Sequence, residues 1–322
     1  MPEYLEKLDY REQVVLMGSC FAENIGEKLT RRYFPVDVNP FGILYNPVSV
    51  ANSLDILLAN KRFREEDIFF SNGRWNSYHH HSRFSHQDKE ICLQQINDRI
   101  TKGADNLRQA RFLFVTFGTA WVYENRDDNR VVSNCHKIPA KQFRRYRLTV
   151  EDTVTRWSQL LSHLWESNPG LQIIFTVSPI RHWKDGAHEN QISKSVLFLL
   201  IESLFEKFGK ERISYFPSYE IVMDELRDYR FYATDMLHLN DLAIDYIWER
   251  FSQVMITPDS LDIMTKVEKL RLAMEHKPFD QHAESYRLFL DNQLTRAEKL
   301  IKQYPFLNVQ EILEYFLRKL KE

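Results

Sequence analysis

The chain has 322 residues, of which 43% are hydrophobic and 27% charged, as is typical of a globular protein with a substantial core. Its formal net charge of -2 excludes the strongly basic surface that attracts nucleic acids and anionic membranes. The three cysteines, Cys20, Cys92 and Cys135, are too scattered for a disulfide framework or a zinc site, so we expect free thiols, a cytoplasmic protein and no metal or cofactor.

The first strand signal follows a charged N-terminal segment that lacks the apolar run of a signal peptide. No later segment approaches the roughly 18 apolar residues of a membrane span. The stretch QVVLM, residues 13–17, is β-branched and apolar and stops at Gly18, which is typical of a buried parallel strand. Helical spacing from Phe21 to Leu29 then predicts a helix that begins near Cys20.

The next segment, residues 31–47, is loop-like and contains a candidate short strand. Asn46 has the character of an N-cap and Pro47 that of a first helical residue. Residues 60–87 show no clean period and many aromatic and histidine side chains, and we expect them to form one wall of a substrate crevice. A helix is predicted over 88–109. We treat residues 48–109 as an insertion in the main domain.

Strands and helices alternate through the rest of the main domain, which predicts an α/β fold with a mainly parallel sheet ending near residue 256. The apolar segments at 110–118, 171–179 and 212–218 are the predicted strands, the segments at 149–167 and 190–209 the predicted helices, and 234–255 a loop that leads into a helix.

The C-terminal residues 259–322 carry helical periodicity and no strand signal. We therefore divide the chain into a domain over 1–256 and a helical extension over 257–322. The extension is interpreted as two or three helices that cover the core, and a surface for a homo-oligomer is the alternative.

Ser19 and Cys20 stand at a strand-to-helix turn, where a side chain projects from the sheet edge. The helix N-terminus lowers the pKa of a thiol placed there, and the first backbone N–H groups of the helix are free to receive an oxyanion. The alternative is structural, with Ser19 as the helix cap and Cys20 as a small buried residue.

A second candidate group is the pair Asp235 and His238 in the stretch TDMLHLN. A catalytic imidazole needs a carboxylate on one nitrogen to fix its tautomer and orientation. Gly42 and Gly118 follow or interrupt apolar segments and are candidates to offer backbone N–H groups to the same oxyanion. Each of these features is also common by chance.

Several motifs together resemble the GSCFA family over roughly residues 13–256. They are GSCFA at 18–22, FGTAWVY at 117–123, NCHKIP at 134–139, SPIRH at 178–182, DGAHENQISKS at 185–195 and DMLHLN at 235–240. This family resembles a branch of the SGNH, or GDSL-like, hydrolases. The resemblance implies a flavodoxin-like, three-layer α/β/α sandwich and an enzyme of the ester-hydrolysing or acyl-transferring type.

Two departures from the SGNH pattern concern the candidate chemistry. If Gly-Asp-Ser of that pattern is laid over residues 18–20, Cys20 takes the nucleophile position and Ser19 that of the aspartate. Ala120 occupies the position of an asparagine that normally donates to the oxyanion. Three residues are candidates to replace this donor: Thr119, Asn134 and Ser178.

The remaining candidates have weaker support. His182 is a rival base to His238, but it has no carboxylate three residues away. His79 and His81 share a face that resembles a metal site, yet no acidic or thiol ligand accompanies them, and we expect no metal. Three cations are candidates to orient an anionic or sugar-bearing substrate: Arg83, Lys137 and Arg181.

The sequence thus predicts a hydrolase or acyltransferase that acts on an ester or acyl group of a small polar molecule such as a carbohydrate. Cys20 or Ser19 would be its nucleophile, with His238 and Asp235. The alternative is a non-catalytic binding protein on a degenerate SGNH scaffold, which Ala120 favours. Neither alternative involves a nucleic acid or a membrane.

Overall fold

A five-stranded parallel sheet is the centre of the protein, which a computed structural model describes over residues 1–322. Its spatial order is β2-β1-β5-β9-β10. A hairpin, β3–β4, and an antiparallel sheet of order β7-β6-β8 stand beside it. The strands are β1 (Gln13–Gly18), β2 (Val36–Val38), β3 (Phe69–Ser71), β4 (Arg74–Asn76), β5 (Ala110–Phe117), β6 (Trp121–Asn125), β7 (Val131–Val132), β8 (Phe143–Arg147), β9 (Gln172–Val177) and β10 (Ile213–Tyr215).

Helices cover both faces of the parallel sheet. They are α1 (Cys20–Thr30), α2 (Pro47–Leu58), α3 (Lys89–Gln109), α4 (Val150–Ser167), α5 (Gly186–Phe208), α6 (Ser218–Glu220), α7 (Asp241–Met255), α8 (Pro258–Glu275), α9 (Glu284–Gln303) and α10 (Gln310–Lys319). No helix combines the length and the apolar character that crossing a membrane requires.

The strands are buried on both faces because their side chains alternate between two cores. Val15 and Met17 join the core formed with α2, α3, α4 and α5. Val14 and Leu16 join the core formed with α1 and α7. The result is a three-layer α/β/α sandwich with a parallel sheet, which confirms the predicted fold class. Four of the five strands follow from clear apolar signals in the sequence, and the three-residue β2 completes the sheet.

Only the middle of the predicted insertion leaves this sandwich. Asn46 caps α2 by accepting from Ser49 N at 2.8 Å, and Pro47 is the first helical residue. Helices α2 and α3 then pack in the core of the main domain. The hairpin β3–β4 between them forms a separate two-stranded sheet, and its Trp75 packs against the same core.

The three C-terminal helices share one hydrophobic core with α1 and α7. Their buried contributions come from Ile263, Val267, Leu270, Leu290, Ala297, Leu300, Ile312 and Phe316. The extension therefore covers the α1/α7 layer and extends its core.

Gly18 allows β1 and β5 to approach closely at the end of the sheet. Its φ is +131°, and a Cβ there would lie 2.1 Å from Thr116 O. Gly18→Ala is therefore expected to destabilise the fold by more than about 3 kcal/mol, since strain and a backbone clash add. Gly73→Ala is the matched control: its φ is +75°, but nothing lies within 4 Å of the added Cβ.

The control should lose only the about 1–2 kcal/mol of a left-handed residue. Urea-induced unfolding measures both changes. Equal losses in the two variants would mean that the close approach at Gly18 is not a constraint on the fold.

Candidate active site

The strand order reverses between β1 and β5, and a cavity of about 550 Å³ lies at this switch point. Parallel α/β folds place ligands there because two neighbouring loops diverge from the carboxyl ends of adjacent strands. Eight of the predicted site residues line the cavity: Ser19, Cys20, Thr119, Asn134, Ser178, Arg181, His182 and His238.

Ser19 and Cys20 take different places at the start of α1. Ser19 is 1% exposed, and its Oγ accepts a hydrogen bond from Phe21 N at 3.3 Å as the helix cap. Cys20, the first helical residue, is only half-buried. Its own backbone N–H donates to no other residue of the protein. Cys20 thus offers a thiol and a free N–H donor at the cavity, while Ser19 is held by the helix.

The prediction that the helix N-terminus lowers the pKa of the Cys20 thiol is wrong. Burial raises the pKa of Cys20 to about 11. The N–H groups of Cys20 and Phe21 lower the pKa, but their effect is smaller than that of burial, and the carboxylate of Glu23 adds to the increase. The resting thiol is therefore protonated at neutral pH.

Asp235 fixes the orientation of His238. The imidazole Nδ1 lies 2.6 Å from Asp235 Oδ2, while Asp235 Oδ1 accepts the backbone N–H groups of Leu237 and His238 at 2.9 Å. These hydrogen bonds, chiefly the one with His238, lower the pKa of Asp235 to about 2. Because Nδ1 faces the carboxylate, Nε2 is the ring nitrogen that remains free. No hydrogen bond joins His238 to Cys20 Sγ, although both line the cavity.

Gly42 and Gly118 do not supply oxyanion donors, contrary to the prediction. Gly42 N donates to Asn39 O at 2.8 Å, and Gly118 N donates to Tyr45 O at 2.7 Å, so both N–H groups are already satisfied. Neither glycine lines the cavity. Gly118 instead permits close packing, since a Cβ there would lie 3.0 Å from His182 Nε2.

Of the three candidates for the missing side-chain donor, Asn134 is the one with a free N–H donor group. Its Oδ1 accepts from His136 N at 2.9 Å, which leaves its amide nitrogen without a partner. Thr119 Oγ1 lies 3.0 Å from Ser193 Oγ in a buried pair, and Ser178 Oγ accepts a backbone N–H at 3.4 Å. Asn134 is therefore the side chain best able to donate to a ligand.

The other predicted binding residues divide into two groups. Arg181 lines the cavity and forms no salt bridge, and His182 lies beside it, packed edge-on against Tyr45 at 5.4 Å. Burial lowers the pKa of His182 to about 4, so its imidazole is neutral. Arg83 pairs with Glu23 at 3.5 Å outside the cavity, and Lys137 does not line it either.

The aromatic residues of 60–87 do not wall the cavity as expected. Phe69 stacks on Tyr78 at 4.2 Å, and Phe84 is buried, because these rings pack on one another. Only His81 of this segment reaches the cavity. The segment acts indirectly: Tyr78 O accepts the backbone N–H groups of residues 133 and 134, which do line it.

The wall is formed instead by the β6–β8 sheet. Trp121 and Tyr123 point into the cavity from β6, and Arg145 joins them from β8. Arg145 lies over the Trp121 ring at 4.2 Å and makes a bidentate pair with Asp185 at 2.5 Å. The period-two placement of the two aromatic residues directly after β5 was the sequence signal for this wall.

Lys194 is a further residue that sequence reasoning missed. It is 2% exposed on α5, and its Nζ donates to Gly118 O at 2.7 Å and to Ser178 O at 2.6 Å. The signal was its register: it lies on the same helix face as the buried Leu197 and Ile201.

The protein is a parallel α/β/α sandwich that carries a thiol and a carboxylate-held imidazole on one cavity at its switch point. The GSCFA family model matches residues 13–251, and the C-terminal domain of GSCFA domain proteins matches residues 267–322. The chain therefore belongs to the GSCFA family, as its motifs indicated.

Similarity beyond the family is distant. No curated protein matches the chain. Among solved structures, an acetyl xylan esterase, Est2A, from the rumen bacterium Butyrivibrio proteoclasticus is similar with a TM-score of 0.35 and 12% identity. The alignment covers 79% of this chain and 64% of that esterase, so the chain spans less than two thirds of its length.

Proposed function

We propose that the protein is a hydrolase or acyltransferase that transfers an acyl group from an ester of a small polar molecule, such as a carbohydrate, through Cys20. One observation carries the proposal. Cys20 and the Asp235-held His238 line the same cavity, whereas the neighbouring hydroxyl of Ser19 is engaged as a helix cap. The positions of thiol, base and orienting carboxylate follow the logic of activated nucleophiles.

The reaction follows from the nucleophile, the proton acceptor and the hydrogen-bond donors that these groups leave free at the cavity. His238 Nε2 takes the proton of the Cys20 thiol, and Sγ attacks the ester carbonyl carbon. The backbone N–H of Cys20 and the amide of Asn134 donate to the resulting oxyanion. The C–O bond of the leaving alcohol then breaks, and His238 returns the proton to that alcohol. Water or an acceptor hydroxyl finally attacks the thioester with His238 again as base.

The side chains that line the cavity favour a polar substrate with a flat apolar face. Trp121, Tyr123 and Trp183 present rings of the kind that pack on sugars, while Arg181 and Lys184 have no carboxylate partner. Arg145 is neutralised by Asp185. Lys184 Nζ donates to Tyr123 Oη at 2.6 Å, so Arg181 is the cation best able to bind acceptor-rich groups on the substrate.

Arg181→Gln is expected to raise KM about tenfold for an acylated sugar that carries a carboxylate, with little change in kcat, because a charge-assisted hydrogen bond is worth about 1.5–3 kcal/mol. KM for the neutral ester 4-nitrophenyl acetate should not change. Arg83→Gln, outside the cavity, is the matched control. Equal effects on charged and neutral esters would exclude a role for Arg181 in recognising the anion.

The proposed function is tested by trapping the acyl-enzyme. The protein is incubated with 4-nitrophenyl acetate, quenched in acid and mapped by mass spectrometry. Acetylation is expected on Cys20, slowed strongly in His238→Ala. Cys135, a second half-buried thiol in the same cavity, is the internal control and should remain unmodified. Equal labelling of both thiols, unaffected by the histidine, would contradict the proposal.

A non-catalytic binding protein is the second candidate. The raised pKa of Cys20 and the missing hydrogen bond between its thiol and His238 favour it. Apo active sites are often looser than their substrate complexes, so these features do not exclude catalysis. If acylated sugars raise the melting temperature but no ester is turned over, the binding function is the correct one.

A further inference from the structure

Lys194 is a buried side-chain amine without a carboxylate partner. Both of its hydrogen-bond acceptors are backbone carbonyls, and it forms no salt bridge. A charged side chain in the interior is costly unless its charge is balanced. A methionine of similar length would fill the same space without that penalty, so packing alone does not account for a lysine here.

The two carbonyls place Lys194 at the edge of the sheet that bears Cys20. Gly118 follows β5 and Ser178 follows β9, and β5 pairs directly with β1 through Thr116 and Gly18. Ser178 also lines the cavity together with Cys20. Nζ is thus bound to the loops that follow β5 and β9, beside the turn after β1 that carries Cys20. Each group shifts the pKa of the other toward its charged form, although for Cys20 this effect is smaller than that of burial.

The hydrogen-bond partners of Lys194 Nζ are compatible with both protonation states of the lysine. A neutral amine has two N–H donors and a lone pair, and an ammonium has three donors. The carbonyls of Gly118 and Ser178 take two N–H groups in either state, and the third position has no partner in the protein. The lysine can therefore gain or lose a proton without breaking a hydrogen bond.

We propose that Lys194 and Cys20 form one ionisable pair, in which the buried ammonium stabilises the Cys20 thiolate. The two groups share one proton: most pairs hold it on the thiol beside a neutral amine, and a fixed minor fraction holds it on the ammonium beside the reactive thiolate. Lys194 is then a positioning residue that acts through Cys20. The ionisation of Cys20 does not depend on turnover, although its catalytic meaning rests on the proposed function.

The pair has a distinct pH signature. Burial lowers the pKa of Lys194 to about 7, while that of Cys20 is raised to about 11. Between these values the two groups hold one proton, and the fraction present as thiolate with ammonium is independent of pH. The other titratable groups that face the pair are Glu23, Tyr45, His182 and His238.

The test is the pH dependence of Cys20 alkylation by iodoacetamide, in the full chain with Cys92→Ala and Cys135→Ala so that one thiol remains. We expect the rate to rise about tenfold per pH unit below pH 7, to level off, and to rise again near pH 11, because only the thiolate reacts. A continuous tenfold rise per unit up to pH 11 would overturn the proposal.

Lys194→Gln and Lys194→Met separate charge from structure. Glutamine retains N–H donors for the two carbonyls without a charge, and methionine retains only the volume. The plateau should disappear in both, with the rate at pH 8 falling tenfold or more. A merely structural lysine would leave the profile of Lys194→Gln unchanged, which would also overturn the proposal.

His238→Ala identifies the source of the plateau even if neither lysine variant folds. The plateau is expected to persist in this variant, since His238 forms no hydrogen bond with the thiol. Its loss would assign the shared proton to His238 and refute the role of Lys194. A plateau without any esterase activity would support the pair and contradict only the proposed function.

Discussion

Cys20→Ala is expected to abolish turnover, with a loss well above the about 10²–10³-fold that removal of one oxyanion donor causes. The thiol is the only nucleophilic side chain of the α1 turn that is free at the cavity, because the Ser19 hydroxyl is 1% exposed and holds Phe21 N. The measurement is steady-state hydrolysis of 4-nitrophenyl acetate, together with the melting temperature. The Cys20→Ala variant should fold normally, since the side chain is small and half-buried.

Ser19→Ala is the matched control for this prediction. It should retain most of the turnover and lose about 1 kcal/mol of unfolding free energy, as expected for the loss of an N-cap. The reverse result, full activity in Cys20→Ala and none in Ser19→Ala, would assign the nucleophile to Ser19. Full activity in both would make the turn purely structural.

The parts of the fold that were predicted from the sequence depend on local patterns. The apolar run that stops at Gly18, the Asn46 cap and the alternation of strands with helices are all read from neighbouring residues. The sheet order places the carboxyl ends of β1 and β5 side by side, which is why residues far apart in sequence reach one cavity.

Most of the errors concern partners that are distant in the chain. The N–H of Gly118 is taken by Tyr45 O on another loop, which no local pattern reveals, whereas that of Gly42 is taken by Asn39 O within a local turn. The raised pKa of Cys20 is likewise a consequence of tertiary burial. Lys194 was detectable from its helical register, but its two carbonyl acceptors come from separate strands and require the folded sheet.

Asp235→Asn is the prediction that most directly separates an enzyme from a binding protein. The asparagine keeps an oxygen for the backbone N–H groups of Leu237 and His238, so the loop should retain its conformation. The amide lacks the charge that holds Nδ1–H and stabilises the imidazolium, and it can present an N–H that favours the wrong tautomer. We expect turnover to fall by about 10⁴-fold with little change in melting temperature.

Asp241→Asn, an exposed acidic residue in the first turn of α7, is the control and should leave turnover unchanged. Because the pKa of Asp235 is held at about 2, its carboxylate stays ionised above pH 4. Loss of activity on acidification between pH 7 and pH 4 therefore does not come from protonation of Asp235. If Asp235→Asn retains full esterase activity, His238 is not the base. The neutral His182, which lines the same cavity, then becomes the group to replace.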